Sequence, residues 1–202
     1  MELVRYWLAL IVVVSFPGAI ATWLVIHGFI SHWRKVGPAV TYAVVIVLTL
    51  GSWLVMFLVQ EPLLRLEFGT HVGGVLTGAL LYCVAATIEI LCWKHLTLGT
   101  LVGIPEVMPA TGESTLLRDG IYGRMRHPRY VSWTLGLFAV ALVTNYLAVF
   151  VLAVLFVPTI FLITVLEERE LLERFGRAYA SYQMSVPRFI PRVRLSQGCS
   201  SR

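Results

Sequence analysis

Five long apolar runs dominate the sequence, and they constrain the possible folds more than any other feature does. A helix needs about 20 apolar residues to cross a bilayer, and every run except the fourth approaches that length. The charged fraction is 13%, whereas soluble domains usually carry about 25% charged residues. The sequence therefore predicts an all-α, polytopic integral membrane protein with five transmembrane helices, at 3–30, 38–59, 72–93, 130–143 and 146–166.

The last two apolar runs are separated only by Thr144 and Asn145. Helices joined by so short a link run antiparallel, so the fourth and fifth spans should form a tight helical hairpin. This hairpin would place the residues before the fourth span and those after the fifth span on the same side of the membrane.

The lysines and arginines fall mainly on one side of the predicted spans. The segments 31–37 and 94–129 and the tail after Leu166 carry fourteen of them, and the opposite side carries only Arg5 and Arg65. Since cytoplasmic loops are enriched in these residues, we expect the N-terminus outside and the C-terminus in the cytoplasm. The net charge of +5 then indicates contact with anionic lipids, not with nucleic acid. No obligate protein partner is indicated.

Two cytoplasmic parts follow from this topology. The segment 94–127 is rich in Gly, Pro and Thr, which predicts an ordered loop and not a helix. In the segment 167–182, apolar residues recur at helical spacing, which predicts a helix that continues the fifth span and ends before Pro187 and Pro191.

These parts form one predicted domain over residues 1–202. Residues 1–93 supply three N-terminal spans, and 94–191 supply the loop, the helical hairpin and the tail helix. Residues 192–202 are predicted to be a disordered tail.

Two charged clusters should meet at the cytoplasmic end of the hairpin. One is Arg126-His127-Pro128-Arg129-Tyr130, and the other is the pair Glu167-Glu168. Such a site suits a zwitterion, with its carboxylate toward Arg126 or His127 and its amine toward a glutamate. Pro128 suits the first turn of a helix, where free backbone N–H groups can bind an anion. S-adenosylmethionine carries such a zwitterionic end, but charge alone does not select it, and the Gly-rich turn GxGxxG is absent.

The C-terminal half resembles the isoprenylcysteine carboxyl methyltransferase family. It is also similar to the wider set of small membrane methyltransferases that includes phospholipid N-methyltransferases. The resemblance depends on LLRDGIYGRMRHPRY at 116–130, an apolar hairpin, and EERELLERFGRAYASYQMSVPRFIP at 167–191. Within these stretches lie the motif RHPxY, the paired glutamates and the pattern FG-x2-Y-x2-Y, which begins at Phe175.

The resemblance implies a methyltransferase that uses S-adenosylmethionine and releases S-adenosylhomocysteine, with no metal. The 98–127 loop would cover the cofactor, and a lipophilic or prenylated acceptor would enter from the bilayer. By the same resemblance Arg126 and Glu168 are the predicted catalytic residues. The predicted cofactor-binding residues are Gly120, Tyr122, Arg126, His127, Pro128, Tyr130, Glu167 and Glu168.

The nature of the acceptor can be considered from its protonation state. A carboxylate is already ionised at neutral pH and needs no general base, which favours a carboxylate acceptor. The alternatives are a phospholipid amine or a thiol, each of which must lose a proton. Less favoured are a nicotinamide-dependent sterol-type reductase and a non-catalytic membrane protein.

Some charged residues have simpler interpretations. Glu89 lies inside the third span, where a carboxylate is a functional candidate by default, but an ion pair with Lys94 is slightly favoured. Arg129 is interpreted as a positive-inside anchor, Glu170 as part of a solvated helix, and His27 as an interfacial residue.

Overall fold

The computed structural model describes residues 1–95 and 116–191. Most of these residues lie in helices, and the described residues contain no β-strand beyond one isolated bridge between Glu67 and Tyr146. A short 3-10 helix spans Gly120–Gly123. The α-helices are α1 (Glu2–Gly28), α2 (Ile30–Val36), α3 (Pro38–Leu58), α4 (Gln60–Leu63), α5 (Val72–Trp93), α6 (Pro128–Thr144), α7 (Leu147–Phe175) and α8 (Arg177–Ser185).

Four helices, α1, α3, α5 and α7, are long and apolar enough to cross a membrane. Many of their large apolar side chains are exposed, for example Val47 and Leu54 on α3 and Leu76 on α5, as expected for surfaces that face lipid. The fourth predicted span corresponds to α6, which has only 17 residues. The part of the chain that the structure describes is therefore that of an all-helical integral membrane protein, with four helices of clear spanning length.

Helices α1, α6 and α7 share the main apolar core, in which Val13, Leu137 and Phe156 are almost completely buried. Helix α5 packs closely on the other side of α6. At Gly78 a Cβ atom would lie 2.8 Å from the carbonyl oxygen of Ala139, so the absence of a side chain permits this approach. Helix α6 is consequently held from both sides.

The predicted hairpin between the last two apolar runs is confirmed. Helix α6 ends at Thr144 and is capped by Asn145, whose φ of 57° is left-handed, a conformation that Asn tolerates better than most residues. Its backbone N–H donates to the carbonyl of Ala141 at 2.8 Å, and its side chain donates to the carbonyl of Gly69 at 3.0 Å. The turn therefore reverses the chain within two residues and fixes both helices.

The predicted continuous helix over 167–182 is wrong in one respect. Helix α7 does extend beyond the apolar run, but it ends at Phe175, and α8 begins at Arg177. Gly176 separates them with a φ of 53° and a ψ of −127°, a conformation in which a Cβ atom would be strained. The break turns α8 away from the axis of α7.

Arg5 holds several elements together at the end of the bundle where the α6–α7 turn lies. It is only 2% exposed, and its Nε donates to the carbonyl oxygen of Thr144 at 2.9 Å. Its other nitrogens reach Thr70 Oγ1 at 3.0 Å and Glu67 Oε2 at 3.5 Å. The start of α1 is therefore bound to the α6–α7 turn and to the link before α5.

The predicted loop over 94–127 lies largely outside the described residues, as does the predicted tail over 192–202.

Candidate functional site

The two charged clusters meet where the sequence places them. His127 directly precedes α6, and Glu168 lies near the end of α7 that adjoins α8. The Nε2 atom of His127 lies 3.0 Å from Oε1 of Glu168, and both residues are about 4% exposed. The antiparallel hairpin brings these residues together although they are 41 positions apart.

Glu168 is the centre of a network of hydrogen-bond donors. Besides His127, it contacts Arg126 Nη2 at 2.9 Å, Arg188 Nε at 3.1 Å and Gln183 Nε2 at 3.2 Å. Arg126 also donates to the carbonyl oxygen of Gln183 at 2.8 Å. A carboxylate with several charged donors is firmly oriented, so the position of Glu168 is set by three segments of the chain.

Arg188 and Gln183 do not stand out in the sequence. Arg188 is one of seven arginines in the tail, and Gln183 lies at the end of an amphipathic helix. The segment after α8 reaches the site because it pairs with the backbone there. The N–H of Arg126 donates to the carbonyl of Pro187 at 2.9 Å, and that of His127 donates to the carbonyl of Arg188 at 3.1 Å.

Glu167 lies on the other side of His127, with its Oε2 atom 3.5 Å from His127 Nδ1. Tyr130, on the first turn of α6, forms a side-chain hydrogen bond with Glu167. The hydroxyl oxygen of Tyr130 also accepts a bond of 2.9 Å from Trp23 Nε1 on α1. Trp23 therefore belongs to the site's surroundings, although its place in an apolar run is typical of a residue that faces lipid.

The position of His127 between two glutamates determines its charge. Burial lowers the pKa of His127, but the hydrogen bonds and negative charges of Glu167 and Glu168 outweigh that effect, so the pKa is raised above its ordinary value. When protonated, the ring faces a carboxylate through each nitrogen and has no lone pair with which to accept a further proton.

The Nε atom of Arg126 and the hydroxyl of Tyr179, which is 1% exposed, are buried beside this network and have no hydrogen-bond partner among the described residues. Burial raises the pKa of Tyr179, and the charges of Glu168 and Glu167 raise it further, so the hydroxyl stays neutral. Unpartnered buried polar groups are rare in folded proteins. Here they supply both acceptors and donors, as a zwitterionic ligand requires.

Of the remaining predicted cofactor residues, Pro128 adjoins the network, and Gly120 and Tyr122 lie in the 3-10 helix that precedes it in sequence. Pro128 is buried at the first position of α6, as expected. Gly120 has a φ of 60° and begins the 3-10 helix. The carbonyl oxygen of Tyr122 accepts a 2.6 Å bond from the hydroxyl of Tyr182, while its side chain packs against Cys92 of α5. Tyr122 thus joins α8 to α5, and the cofactor role of Gly120 and Tyr122 stays a prediction.

One simple interpretation is wrong because α1 packs against α7 and Arg34 of α2 reaches it. Glu170 is only 6% exposed and forms an ion pair with Arg34, instead of facing solvent. His27 is buried, with its Nδ1 3.9 Å from Glu170 Oε2, and its predicted place at the membrane interface stays a prediction. By contrast, Glu173 is exposed. The N-terminal helices therefore contribute an arginine and a histidine one turn beyond the Glu167-Glu168 pair.

The expected partner of Glu89 is also wrong. The nearest cation is Arg129 on α6, with its Nε 3.6 Å from Glu89 Oε1, and not Lys94. The same carboxylate oxygen accepts a 3.0 Å bond from Trp93 Nε1. Since the fold brings α5 against the first turn of α6, the pair links two helices instead of two turns of one helix.

The fold and the site together define a class: a helical membrane protein with a buried ionic network at one end of its last helical hairpin. Comparison with protein families gives a more specific result. Residues 68–178, more than half of the 202-residue chain, match the phospholipid methyltransferase family. The chain belongs to this family and is therefore a membrane methyltransferase. No curated protein and no solved structure matches the chain.

The matched region begins after α1–α4 and contains α5, α6 and α7. It therefore includes Arg126, His127, Glu167 and Glu168. The match supports the wider group of membrane methyltransferases and does not single out the isoprenylcysteine carboxyl methyltransferases.

Proposed function

We propose that the protein transfers a methyl group from S-adenosylmethionine to a lipophilic acceptor in the cytoplasmic leaflet. The observation that carries this proposal is the buried His127–Glu168 pair, with Glu167 on the other side of His127 and unpartnered polar atoms of Arg126 and Tyr179 close by. Family membership supports the reaction, and the paired charges support a zwitterionic donor.

The side chains present fit the amino-acid end of the proposed cofactor. The guanidinium of Arg126 would bind its carboxylate, and Glu167 would bind its ammonium group, while Glu168 holds Arg126 and His127 in place. Tyr130 would orient Glu167, and Gly120, Tyr122 and Pro128 would complete the surrounding wall. When bound, the cofactor supplies a methyl group activated by an adjacent sulfonium charge.

Positioning, and not base catalysis, is the proposed contribution of this site. Displacement at a methyl group requires donor and acceptor to be aligned, and alignment can supply several powers of ten in rate. His127 is held between two glutamates, and Glu168 is committed to four donors. None of these groups is free to deprotonate an acceptor.

Two acceptor classes follow from different observations. A carboxylate suits a site without a free base, because it is ionised at neutral pH. A phospholipid amine is favoured by the family to which the chain belongs. A labelled methyl donor, offered with prenylcysteines, amine phospholipids and lipid thiols in turn, distinguishes these classes by the product that acquires the label.

The proposed topology has five crossings, with the N-terminus outside and the site in the cytoplasm. Helix α6 has 17 residues, which is at the lower limit of about 17–25 residues for a spanning helix. The C-terminal end of α6 contacts Arg5 at Thr144, and its N-terminal end adjoins the ionic network at His127. Labelling of introduced cysteines from each side of sealed vesicles tests the orientation.

Isothermal calorimetry with S-adenosylhomocysteine on the detergent-purified protein tests the function. We expect saturable binding that is lost in Glu168→Ala and retained in Glu173→Gln, since Glu173 is exposed on the same helix. Absence of binding by folded wild-type protein would reject the methyltransferase site and favour a reductase or a non-catalytic role.

A further inference from the structure

His27 is a buried histidine that takes no part in the ionic network around Glu168. It lies in the last turn of α1, and its side chain is 1% exposed. Both of its ring nitrogens are buried and have no hydrogen-bond partner among the residues that the structure describes. Buried polar groups without a partner are rare in folded proteins, and histidine is the side chain best suited to exchange protons near neutral pH. His27 is therefore a candidate for a role in the reaction.

A carboxylate and a guanidinium follow His27 in a row that leads to the surface. The Nδ1 atom of His27 lies 3.9 Å from Oε2 of Glu170, and the other carboxylate oxygen of Glu170 is paired with Arg34. The side chain of Glu170 is 6% exposed and that of Arg34 is 32% exposed. A base oriented by a further polar group is a common feature of catalytic sites, and such contacts are often long before a substrate binds. With Nδ1 toward Glu170, Nε2 is the nitrogen left to accept a proton.

The groups around His27 suit a base that is neutral before it reacts. Burial disfavours the charged form of the ring, whereas nearby carboxylates stabilise the charge that an accepted proton brings. Helix α7 supplies two such carboxylates, those of Glu170 and Glu167. Helix α2 supplies Arg34, which is already paired with Glu170. Helix α3 also packs against α1, but it has no charged residue, and Tyr42 is its only titratable side chain.

Trp23 connects His27 to the ionic network. The ring centres of Trp23 and His27 are 5.0 Å apart, and Trp23 Nε1 donates to the hydroxyl of Tyr130 at 2.9 Å. Tyr130 in turn bonds to Glu167, the residue proposed to hold the ammonium group of the cofactor. His27 thus lies close to the proposed reaction site. Because α1 precedes the region 68–178, membership of the family does not assign a role to His27.

We propose that His27 is the general base that removes a proton from the methyl acceptor. Nε2 of His27 takes the proton from an ammonium or thiol group, and the electron pair left on that group forms the new bond to the methyl carbon. The bond between this carbon and the sulfonium sulfur breaks, and its electrons stay on sulfur. Glu170 is a positioning residue that stabilises the imidazolium, which then releases its proton to water beside Arg34. The proposal rests on the proposed function with an acceptor that carries a proton.

The test follows methyl transfer from labelled S-adenosylmethionine to phosphatidylethanolamine, in detergent micelles, as a function of pH. We expect the rate of the wild-type protein to rise with pH and to level off once His27 is neutral. His27→Gln should lower the rate at neutral pH by at least about a hundredfold, the usual contribution of a general base. Its rate should continue to rise up to about pH 10, where an alkylammonium group loses its proton unaided. A merely structural role of His27 would lower the rate without changing the shape of this profile.

Three further variants make the test specific. His27→Ala should regain activity when imidazole is added, because the base is then supplied from solution. Glu170→Gln should lower the rate about tenfold, the effect of losing one charged contact. His32→Gln is the matched control, since it removes an exposed histidine from the neighbouring helix α2 and should keep the wild-type rate and profile. All these variants should bind S-adenosylhomocysteine in calorimetry as the wild-type protein does, which also shows that they are folded.

The outcomes separate this proposal from the proposed function. A His27→Gln variant with the wild-type profile would overturn the role of His27 and leave the methyltransferase site standing. Label that enters only the carboxylate of N-acetyl-farnesylcysteine, offered as a second probe, would have the same meaning, because that acceptor has no proton to lose. A folded wild-type protein that does not bind S-adenosylhomocysteine would reject the methyltransferase site and the base together.

Discussion

Replacing Glu168 with glutamine should destabilise the protein strongly. Glutamine keeps the size of the side chain, but its amide group would face the donors of Arg188 and Gln183. The partners differ in their access to water: the side chains of His127 and Arg126 are 3% and 10% exposed, whereas that of Arg188 is 27% exposed. Water can therefore compensate Arg188 but not the two buried cations.

Removal of one partner from a buried ion pair usually costs about 3–5 kcal/mol. Glutamine retains one acceptor oxygen and Glu167 still faces His127, so the expected loss is at the lower end, about 3 kcal/mol. Since folded proteins are stable by only about 5–15 kcal/mol, such a loss is large enough to measure easily.

The assay is equilibrium unfolding in mixed micelles with increasing sodium dodecyl sulfate, followed by the fluorescence of the six tryptophans. Glu173→Gln is the matched control, because it removes an exposed carboxylate from the same helix and should change the free energy of unfolding by no more than about 0.5 kcal/mol. If Glu168→Gln behaves like Glu173→Gln, the network does not hold α6, α7 and the tail together, and the reasoning is refuted.

Two further predictions concern the neighbours of Glu168. The raised pKa of His127 means that its stabilising charge is fully present below the ordinary value of 6.5 and is lost as the pH rises through the folded-state pKa. The melting temperature of the wild-type protein should therefore fall over this pH range, and it should fall less in His127→Gln. Parallel plots of melting temperature against pH for the two proteins would contradict this. Trp23→Phe removes the donor to Tyr130 and should lower the free energy of unfolding by about 1 kcal/mol, with weaker S-adenosylhomocysteine binding. Trp7→Phe, at an exposed position, is the control, and equal effects of the two substitutions would count against the role of Trp23.

The helices were largely predictable because the apolar runs have sharp ends. The predicted span 72–93 coincides with α5, and the span 38–59 exceeds α3 by one residue. The break at Gly176 was not predictable from periodicity, since Phe175 and Tyr179 keep helical spacing across it. A glycine can continue a helix or end it, and packing of the following segment decides between these outcomes.

The centre of the site was predictable because the short turn at Thr144 leaves little choice of geometry. The residues that surround this centre could not be predicted from the sequence. Periodicity shows which residues share a face of a helix, but not which other helix covers that face. Glu170 thus appears to face solvent in the sequence, whereas α1 and α2 cover it with His27 and Arg34. Arg188 reaches Glu168 only because the chain turns back after α8.

Arg5 has a consequence for the synthesis of the chain. Its nearest acceptor, the carbonyl oxygen of Thr144, is 139 residues away and leaves the ribosome long after α1 has been inserted. Until then Arg5 has Thr70 and Glu67 as earlier partners, and α1 already lies against α3, where Thr22 Oγ1 is 3.3 Å from Thr49 Oγ1. The two N-terminal helices can therefore associate before the last hairpin is made, and the bond from Arg5 to Thr144 forms only when that hairpin is in place.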